Sequence, residues 1–183
     1  MMKKRKLGII GGSGLYKIEG LENQRWKKIK TSWGDPSDSI LSSTLNQEEI
    51  YFLPRHGRGH KLSPTKINFR ANIEALKRLG VTDIVSVSAV GSLQEHLLPG
   101  SFVLVDQFID RTFAREKTFF DEGVVAHVSM AKPTSPSLMK CCESALVKCK
   151  IPHQVGGTYL VMEGPQFSSL SESKLYRSWK ADV

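Results

Sequence analysis

The chain has 183 residues and a formal net charge of +8, with 40% hydrophobic and 24% charged residues. This composition is ordinary for a globular protein and excludes an intrinsically disordered chain. No stretch approaches the roughly 20 apolar residues of a transmembrane helix, and the apolar run after the basic start is too short for a signal peptide. We therefore predict one domain over residues 1–183, located in the cytoplasm.

The positive charge raises the question of nucleic-acid binding. Lysines and arginines are scattered along the chain, as at Lys27, Lys77 and Lys148, and no aromatic residues are interleaved with them as a stacking platform. The charge instead indicates a basic surface that attracts anionic substrates. We predict neither a nucleic-acid partner nor a membrane partner.

Two early strands are predicted to end in polar or glycine-rich residues. Leu7–Ile10 is a short apolar run that leads into the sequence Gly11-Gly12-Ser13-Gly14. Exposed N–H groups in such a turn form an anion-binding nest. The run Ile50–Leu53 places Arg55 and His56 just after a second strand, and a guanidinium and a ring N–H both suit phosphate oxygens.

A helix and a third strand follow. The helical spacing of Phe69, Ile73 and Leu76 predicts one buried helix face. Gly80 marks the end of this helix. Ile84–Val87 is the next predicted strand, and it leads into the polar turn Ser88-Ala89-Val90-Gly91-Ser92.

The second half continues the alternation. Phe102–Val105 is a predicted strand, and Ser135-Pro136 has the form of an N-cap followed by proline at the first helical position. That helix carries all three cysteines, whose spacing fits neither a zinc nor a redox motif. Four residues at steps of four, three and four predict one buried face, which makes two of the cysteines core residues: Leu138, Cys142, Ala145 and Cys149.

The last predicted strand is Thr158–Met162, and it leads into Glu163-Gly164-Pro165-Gln166-Phe167-Ser168. A final helical face contains Leu175, Tyr176 and Trp179, and Ala181-Asp182-Val183 has the form of the start of a strand.

Strands that alternate with helices predict an α/β fold with a mixed, mostly parallel central sheet flanked by helices. Ligands of such sheets bind at the carboxyl ends of the strands. We therefore expect the polar turns that follow the predicted strands to meet at one edge and to bind a small phosphate.

Six ordered blocks resemble the methylthioadenosine phosphorylase branch of the trimeric purine nucleoside phosphorylases: Gly11–Gly14, Arg55–Gly57, Pro64–Asn68, Ser88–Ser92, Asp106–Thr112 and Glu163–Ser168. The resemblance extends from about Leu7 to Val183. It implies a phosphorylase/hydrolase-like fold and cleavage of 5′-methylthioadenosine, or a related purine nucleoside, by inorganic phosphate. The products are the free base and 5-methylthioribose 1-phosphate. A homotrimer is implied, with phosphate as co-substrate and no cofactor or metal.

The resemblance also implies roles for individual residues. Five would bind phosphate, four through side chains and the last through its backbone N–H: Ser13, Arg55, His56, Ser88 and Ala89. Phe167 would stack on the purine, and Ser168 lies where the family tunes base preference. Glu163 would contact the ribose hydroxyls, and His127 would lie near the sugar 5′ group of a neighbouring subunit. No residue acts as a covalent nucleophile.

Several alternatives stay open. Members of the family continue beyond the position of Val183 into a segment with purine-recognising aspartates, so we expect the C-terminal part of the domain to be missing. The preference for adenine or for 6-oxopurine bases therefore stays undecided. The chain is alternatively an inactive fragment that acts through subunit association. Glu163 alternatively satisfies only backbone donors, and Phe167 taken alone is more typical of a core residue.

Other chemistries fit the sequence less well. A dinucleotide-binding domain would explain the glycines after the first strand, but Leu15–Glu22 shows no helical pattern and contains Gly20. His56 and His60 have the spacing of helical metal ligands without a third ligand. Gly12-Ser13-Gly14 lacks the residues that separate serine from glycine in a nucleophile elbow.

Overall fold

The computed structural model describes residues 5–12, 15, 18–120 and 123–183. The predicted phosphate ligand Ser13 lies outside the described residues. The chain divides into two compact units, which we call the N-terminal unit (Met1–Ala89 with Arg115–Phe119) and the C-terminal unit (Val90–Ala114 with Phe120–Val183). The single domain over residues 1–183 stays a prediction.

A five-stranded mixed sheet forms the centre of the N-terminal unit. Its strands are β1 (Leu7–Gly11), β2 (Glu22–Lys27), β3 (Ile40–Leu45), β4 (Glu48–Pro54) and β5 (Asp83–Val87), in the order β2-β3-β4-β1-β5. β1 pairs in parallel with β4 and β5, whereas β2, β3 and β4 are antiparallel neighbours. Gly11 is paired with both Pro54 and Val87, so the three parallel strands end level. The predicted α/β fold is confirmed.

Helix α1 (Phe69–Arg78) covers this sheet and begins at the N-cap Asn68, whose side chain accepts a hydrogen bond from the Ala71 N–H. Its buried residues are Ala71, Asn72, Ala75 and Leu76, and the last two join the core that contains Ile10, Tyr51 and Leu53. The predicted face was wrong at Ile73, which is 38% exposed. Small alanines at i and i+4 let the helix approach the sheet closely, and the helix turns Ile73 outward.

Two short parallel strand pairs form the C-terminal unit together with two helices. The elements are β6 (Phe102–Leu104), β7 (Gln107–Arg111), α2 (Pro136–Lys148), β8 (His153–Val155), β9 (Thr158–Met162) and α3 (Leu170–Ser178). β6 pairs with β8 and β7 with β9. The segment Ala181–Val183 lies alongside β9. The Leu160 N–H donates to the Val183 carbonyl, and the Asp182 N–H donates to the Thr158 carbonyl.

The cysteine-bearing helix begins as predicted but faces differently. The Ser135 hydroxyl accepts from the Leu138 N–H, and Pro136 is the first helical residue. Leu146 is the buried residue of α2, whereas Cys149 and Ala145 are exposed, so the prediction that Cys149 lies in the core was wrong. One residue turns a helix by about 100°. The longer Leu146 takes the inner position because its burial removes more apolar surface from water.

Each of the three α-helices in the described part of the chain is followed by a left-handed residue. These residues are Gly80, Lys150 and Lys180, with φ values of 80°, 56° and 61°. In each case the N–H of the next residue donates to the carbonyl five residues earlier. The donor and acceptor residues are Val81 and Leu76, Ile151 and Leu146, and Ala181 and Tyr176. This is the long hydrogen bond of a Schellman motif. The accepting residue is buried in every case.

Candidate functional site

The carboxyl edge of the parallel strands β4, β1 and β5 brings together three of the predicted phosphate ligands, Arg55, His56 and Ser88. The Arg55 N–H donates to the Gly11 carbonyl over 2.8 Å, which ties the residue after β4 to the end of β1. Gly12 follows β1, and a Cβ at that position would lie 3.6 Å from Nη2 of Arg55. Gly12 therefore lies against the guanidinium at this edge.

Arg55 reaches across to the end of β5. Its Nη1 donates to the Ser88 hydroxyl over 2.7 Å and to the Val87 carbonyl over 3.3 Å. Ala89 is the next residue, and both Ser88 and Ala89 are exposed. The Arg55 guanidinium and the Ser88 hydroxyl thus meet at this edge, and both are donors that phosphate oxygens accept from.

The hydrogen bonds of His56 determine its tautomer. Nδ1 lies 2.9 Å from the Leu62 carbonyl, and because a carbonyl only accepts, the proton of the neutral ring sits on Nδ1. The lone pair on Nε2 then accepts from Nε of Arg55 over 3.4 Å. The ring also stacks on His60, with centroids 4.4 Å apart.

The surroundings keep this histidine neutral. Burial lowers the pKa of His56, the hydrogen bond to the Leu62 carbonyl raises it, and the electrostatic effects of Arg55 and His60 lower it further, so that the net shift is downward. An anion bound beside Arg55 would offset the positive charge of that arginine and raise the pKa of His56. His56 is therefore placed to take up a proton when an anion binds.

Glu163 lies in the C-terminal unit, just after β9, and is 5% exposed. Its Oε2 accepts from the Phe113 N–H over 3.0 Å and from the Ala114 N–H over 3.3 Å. Both donors follow β7, which pairs in parallel with β9. These contacts fit the interpretation of Glu163 as a residue that satisfies backbone donors, and its ribose role stays a prediction.

The other predicted base and sugar residues lie on exposed segments. Phe167 is 94% exposed, so the interpretation as a core residue was wrong. The Ser168 hydroxyl lies 2.8 Å from that of Ser173, and Ser169 is the N-cap of α3 in a capping box with Glu172. His127 is exposed within residues 123–130.

Comparison with known proteins identifies the family. A sequence model described as the phosphorylase superfamily matches residues 6–183. The chain belongs to the phosphorylase superfamily. It is 63% identical over 177 residues to an S-methyl-5′-thioadenosine phosphorylase of Rhodospirillum rubrum, covering 97% of this chain and 60% of that protein. The chain thus spans about three fifths of the length of the curated relatives it matches.

Solved structures of the phosphorylase superfamily share the fold. A methylthioadenosine phosphorylase from an antarctic soil metagenomic library superposes with a TM-score of 0.92 at 50% identity, over 97% of this chain and 63% of that one. A methylthioadenosine phosphorylase from Schistosoma mansoni in complex with adenine gives 0.92 at 34% identity, over 98% and 72%. These likenesses confirm the family resemblance of the six sequence blocks.

Sequence reasoning missed two residues beside the superfamily's Arg55-His56 block. Asp38 and Arg58 form a two-pronged ion pair with Nη2 to Oδ1 at 2.9 Å. Arg58 stands only two residues after His56, so its place in the loop was visible in the sequence. Its partner was not, because 20 residues separate the pair and nothing in their spacing links them.

Among the described residues, no three His, Cys, Asp or Glu side chains are grouped to hold a metal ion, and no helix is long and apolar enough to span a membrane.

Proposed function

We propose that the chain acts as a purine nucleoside phosphorylase on 5′-methylthioadenosine or a related nucleoside, yielding the free base and 5-methylthioribose 1-phosphate. The observation that carries the proposal is the 2.7 Å contact between Arg55 Nη1 and the Ser88 hydroxyl at the shared edge of three parallel strands. The relative from Rhodospirillum rubrum, named for this activity, supports the nucleoside class. The adenine bound to the Schistosoma mansoni enzyme supports the base.

The proposed chemistry uses phosphate itself as the nucleophile. A phosphate oxygen attacks the anomeric carbon as the bond to the purine nitrogen breaks. The bonding pair leaves with the base, which takes up the proton that the hydrogen phosphate loses. The protein's task is to hold phosphate within roughly 3 to 3.5 Å of that carbon. Ser13, Arg55, His56, Ser88 and the backbone N–H of Ala89 are the proposed phosphate ligands. They hold the phosphate dianion in place, and its negative charge stabilises the oxocarbenium-like sugar of the transition state.

The C-terminal unit supplies the remaining proposed contacts. Phe167 stacks on the purine, Ser168 tunes base preference, Glu163 binds the ribose hydroxyls, and His127 serves the 5′ group of a neighbouring subunit. The exposure of Phe167 and His127 leaves both side chains accessible to a ligand or a second chain. The proposal includes one domain, a homotrimer and a cytoplasmic location. Phosphate is the co-substrate, and the proposal involves no cofactor, metal, nucleic acid or membrane.

The test is chromatography of the bases released from methylthioadenosine, methylthioinosine, adenosine and inosine, with and without phosphate. We expect release that requires phosphate and is largely lost in Arg55→Ala. The matched control is Arg78→Ala, which removes an arginine of α1 that pairs with Glu74 over 2.6 Å and should leave release unchanged. No release from a folded chain that binds phosphate would overturn the proposal and support an inactive binding fragment.

A further inference from the structure

The loop that carries Arg55 and His56 consists of tight turns. We call residues 55–62 the His56 loop. The Gly57 N–H donates to Pro54, the His60 N–H to Gly57 and the Leu62 N–H to His56, each over 3.0 Å. His60 is left-handed with φ 55°. Contacts with other parts of the chain restrain such a loop further, because each contact reduces the conformational freedom of its residues.

Asp38 supplies those contacts, from the segment that precedes β3. Its Oδ2 accepts from the Arg58 backbone N–H over 2.7 Å and from Arg58 Nε over 2.9 Å. Its Oδ1 accepts from Arg58 Nη2 over 2.9 Å and from the Ser39 N–H over 2.7 Å. A two-pronged guanidinium–carboxylate pair fixes direction as well as distance. Asp38 therefore restrains both the backbone and the side chain of the loop at one residue.

The segment that carries Asp38 is itself anchored to helix α1. The Ser37 N–H donates to Asn72 Oδ1 over 2.7 Å, and Asn72 Nδ2 donates to the Ser37 hydroxyl over 2.9 Å. Asn72 is 3% exposed. Gly57 is left-handed, and a Cβ there would lie 3.0 Å from the Ser37 carbonyl, so the loop and this segment approach backbone to backbone. A continuous set of contacts thus joins α1 to the His56 loop.

Arg58 is engaged in this support rather than in ligand binding. Its guanidinium lies 3.9 Å from the ring centroid of Trp26 on β2, in a cation–π contact. Burial alone would raise the pKa of Asp38, but the hydrogen bonds and charge of Arg58, with the Ser39 N–H, bring that pKa below its usual value. The carboxylate stays ionised and balances the charge of Arg58.

We propose that Asp38 is a positioning residue of the phosphate site, acting through Arg58 on the His56 loop. With Asp38 in place, the loop keeps Nδ1 of His56 on the Leu62 carbonyl and turns Nε2 toward Arg55. The inference rests on the proposed phosphate binding at Arg55 and His56, and it adds a residue that does not touch the ligand.

The first measurement is phosphate affinity by calorimetry on the full chain. Asp38→Asn keeps the side-chain shape but removes the charge and one acceptor, and we expect phosphate binding to weaken about tenfold. Arg58→Lys keeps the charge but loses the fork, and we expect a smaller loss of the same sign. The matched control is Glu74→Gln, which breaks the Glu74–Arg78 pair of the same unit and should leave affinity within about twofold.

The second measurement does not depend on phosphate. Nitrogen-15 spectra of the histidine rings report the tautomer and the pKa of His56. In Asp38→Asn we expect the Nδ1–H tautomer to lose its dominance and the His56 pKa to rise toward 6.5, whereas Glu74→Gln leaves both unchanged. Loss of folding in Asp38→Asn would be visible in circular dichroism, and Arg58→Lys then provides the same test in a milder variant.

The outcomes separate the two proposals. Unchanged His56 spectra in folded Asp38→Asn overturn the positioning role, whatever the chain binds. If Asp38→Asn changes the His56 spectra but the unsubstituted chain binds no phosphate, Asp38 positions His56 and the proposed phosphate function fails. Changed spectra together with weakened phosphate binding support both.

Discussion

The two units differ in how firmly they hold their candidate residues. In the N-terminal unit, Arg55 is fixed by hydrogen bonds to Gly11, Val87 and Ser88 at the level ends of three parallel strands. In the C-terminal unit, Phe167 is 94% exposed and His127 lies on an exposed segment. The difference follows from topology, because the sheet brings together residues that directly follow parallel strands, whereas it does not hold residues farther along a connection.

Glu163 belongs with the first group although it lies in the second unit. It directly follows β9, and its carboxylate accepts two backbone N–H groups that follow the paired strand β7. A position at a strand end, rather than membership of one unit, therefore decides which candidate residue is held. This contrast sets the expected order of effects on phosphate binding.

The largest expected effect is that of Arg55→Ala on phosphate affinity. Hydrogen bonds to a charged ligand contribute roughly 1.5 to 3 kcal/mol each, so losing two should weaken phosphate binding about 100-fold or more. Phe167→Ala, in the other unit, should leave phosphate affinity unchanged. Calorimetric titration with phosphate measures both. Equal losses in the two variants would break the assignment of phosphate to the strand-end residues.

A smaller effect is expected from pH, through His56. Burial, Arg55 and His60 hold the pKa of this ring below 6.5, whereas an anion beside Arg55 raises it. Anion binding then takes up a proton, so affinity rises as pH falls from about 8 to about 5. The gain is tenfold for each unit by which the anion raises the pKa. Sulfate is the suitable probe because its own charge does not change in this range.

The matched variant for the pH experiment is His56→Gln, which should bind sulfate with little pH dependence, while His60→Gln should retain most of it. A pH-independent sulfate affinity in the unsubstituted chain contradicts the proposed proton uptake.

The lowered pKa of His56 also affects folding stability when no anion is bound. The His56 contribution to stability is complete above about pH 6.5 and is lost as pH falls through its folded-state pKa.

The sequence predicts the parts of the fold that are apolar runs bounded by turns. β1, β4, β5, β6 and β9 lie where such runs predict them. β2 was missed because five of its six residues are exposed and polar residues dominate it, and β3 because serine and threonine interrupt its apolar pattern. β3 buries Ser42 and Ser43 nonetheless, since it lies between β2 and β4.

The candidate site divides in the same way. Arg55, His56 and Ser88 are recognisable from local sequence, because each directly follows a predicted strand. The Asp38–Arg58 pair is not recognisable, because it depends on how the segment before β3 packs against the loop after β4. The inward turn of Leu146 in place of Cys149 is likewise a packing result. Periodicity places a helix but leaves its rotation uncertain by one residue, which is about 100°.

The smallest expected effect concerns the ends of α2 and α3, where lysines occupy the left-handed position that glycine holds after α1. Lys180→Gly should stabilise the C-terminal unit by about 0.5 kcal/mol, because relief of left-handed strain exceeds the added entropy of the unfolded chain. Lys174→Gly, at an exposed interior position of α3, should destabilise it by roughly 1 kcal/mol. Urea denaturation measures both, and slower hydrogen exchange of the Ala181 N–H, which bonds to Tyr176, should accompany Lys180→Gly. If Lys180→Gly destabilises the unit as much as Lys174→Gly does, the left-handed conformation of Lys180 carries no strain that glycine relieves.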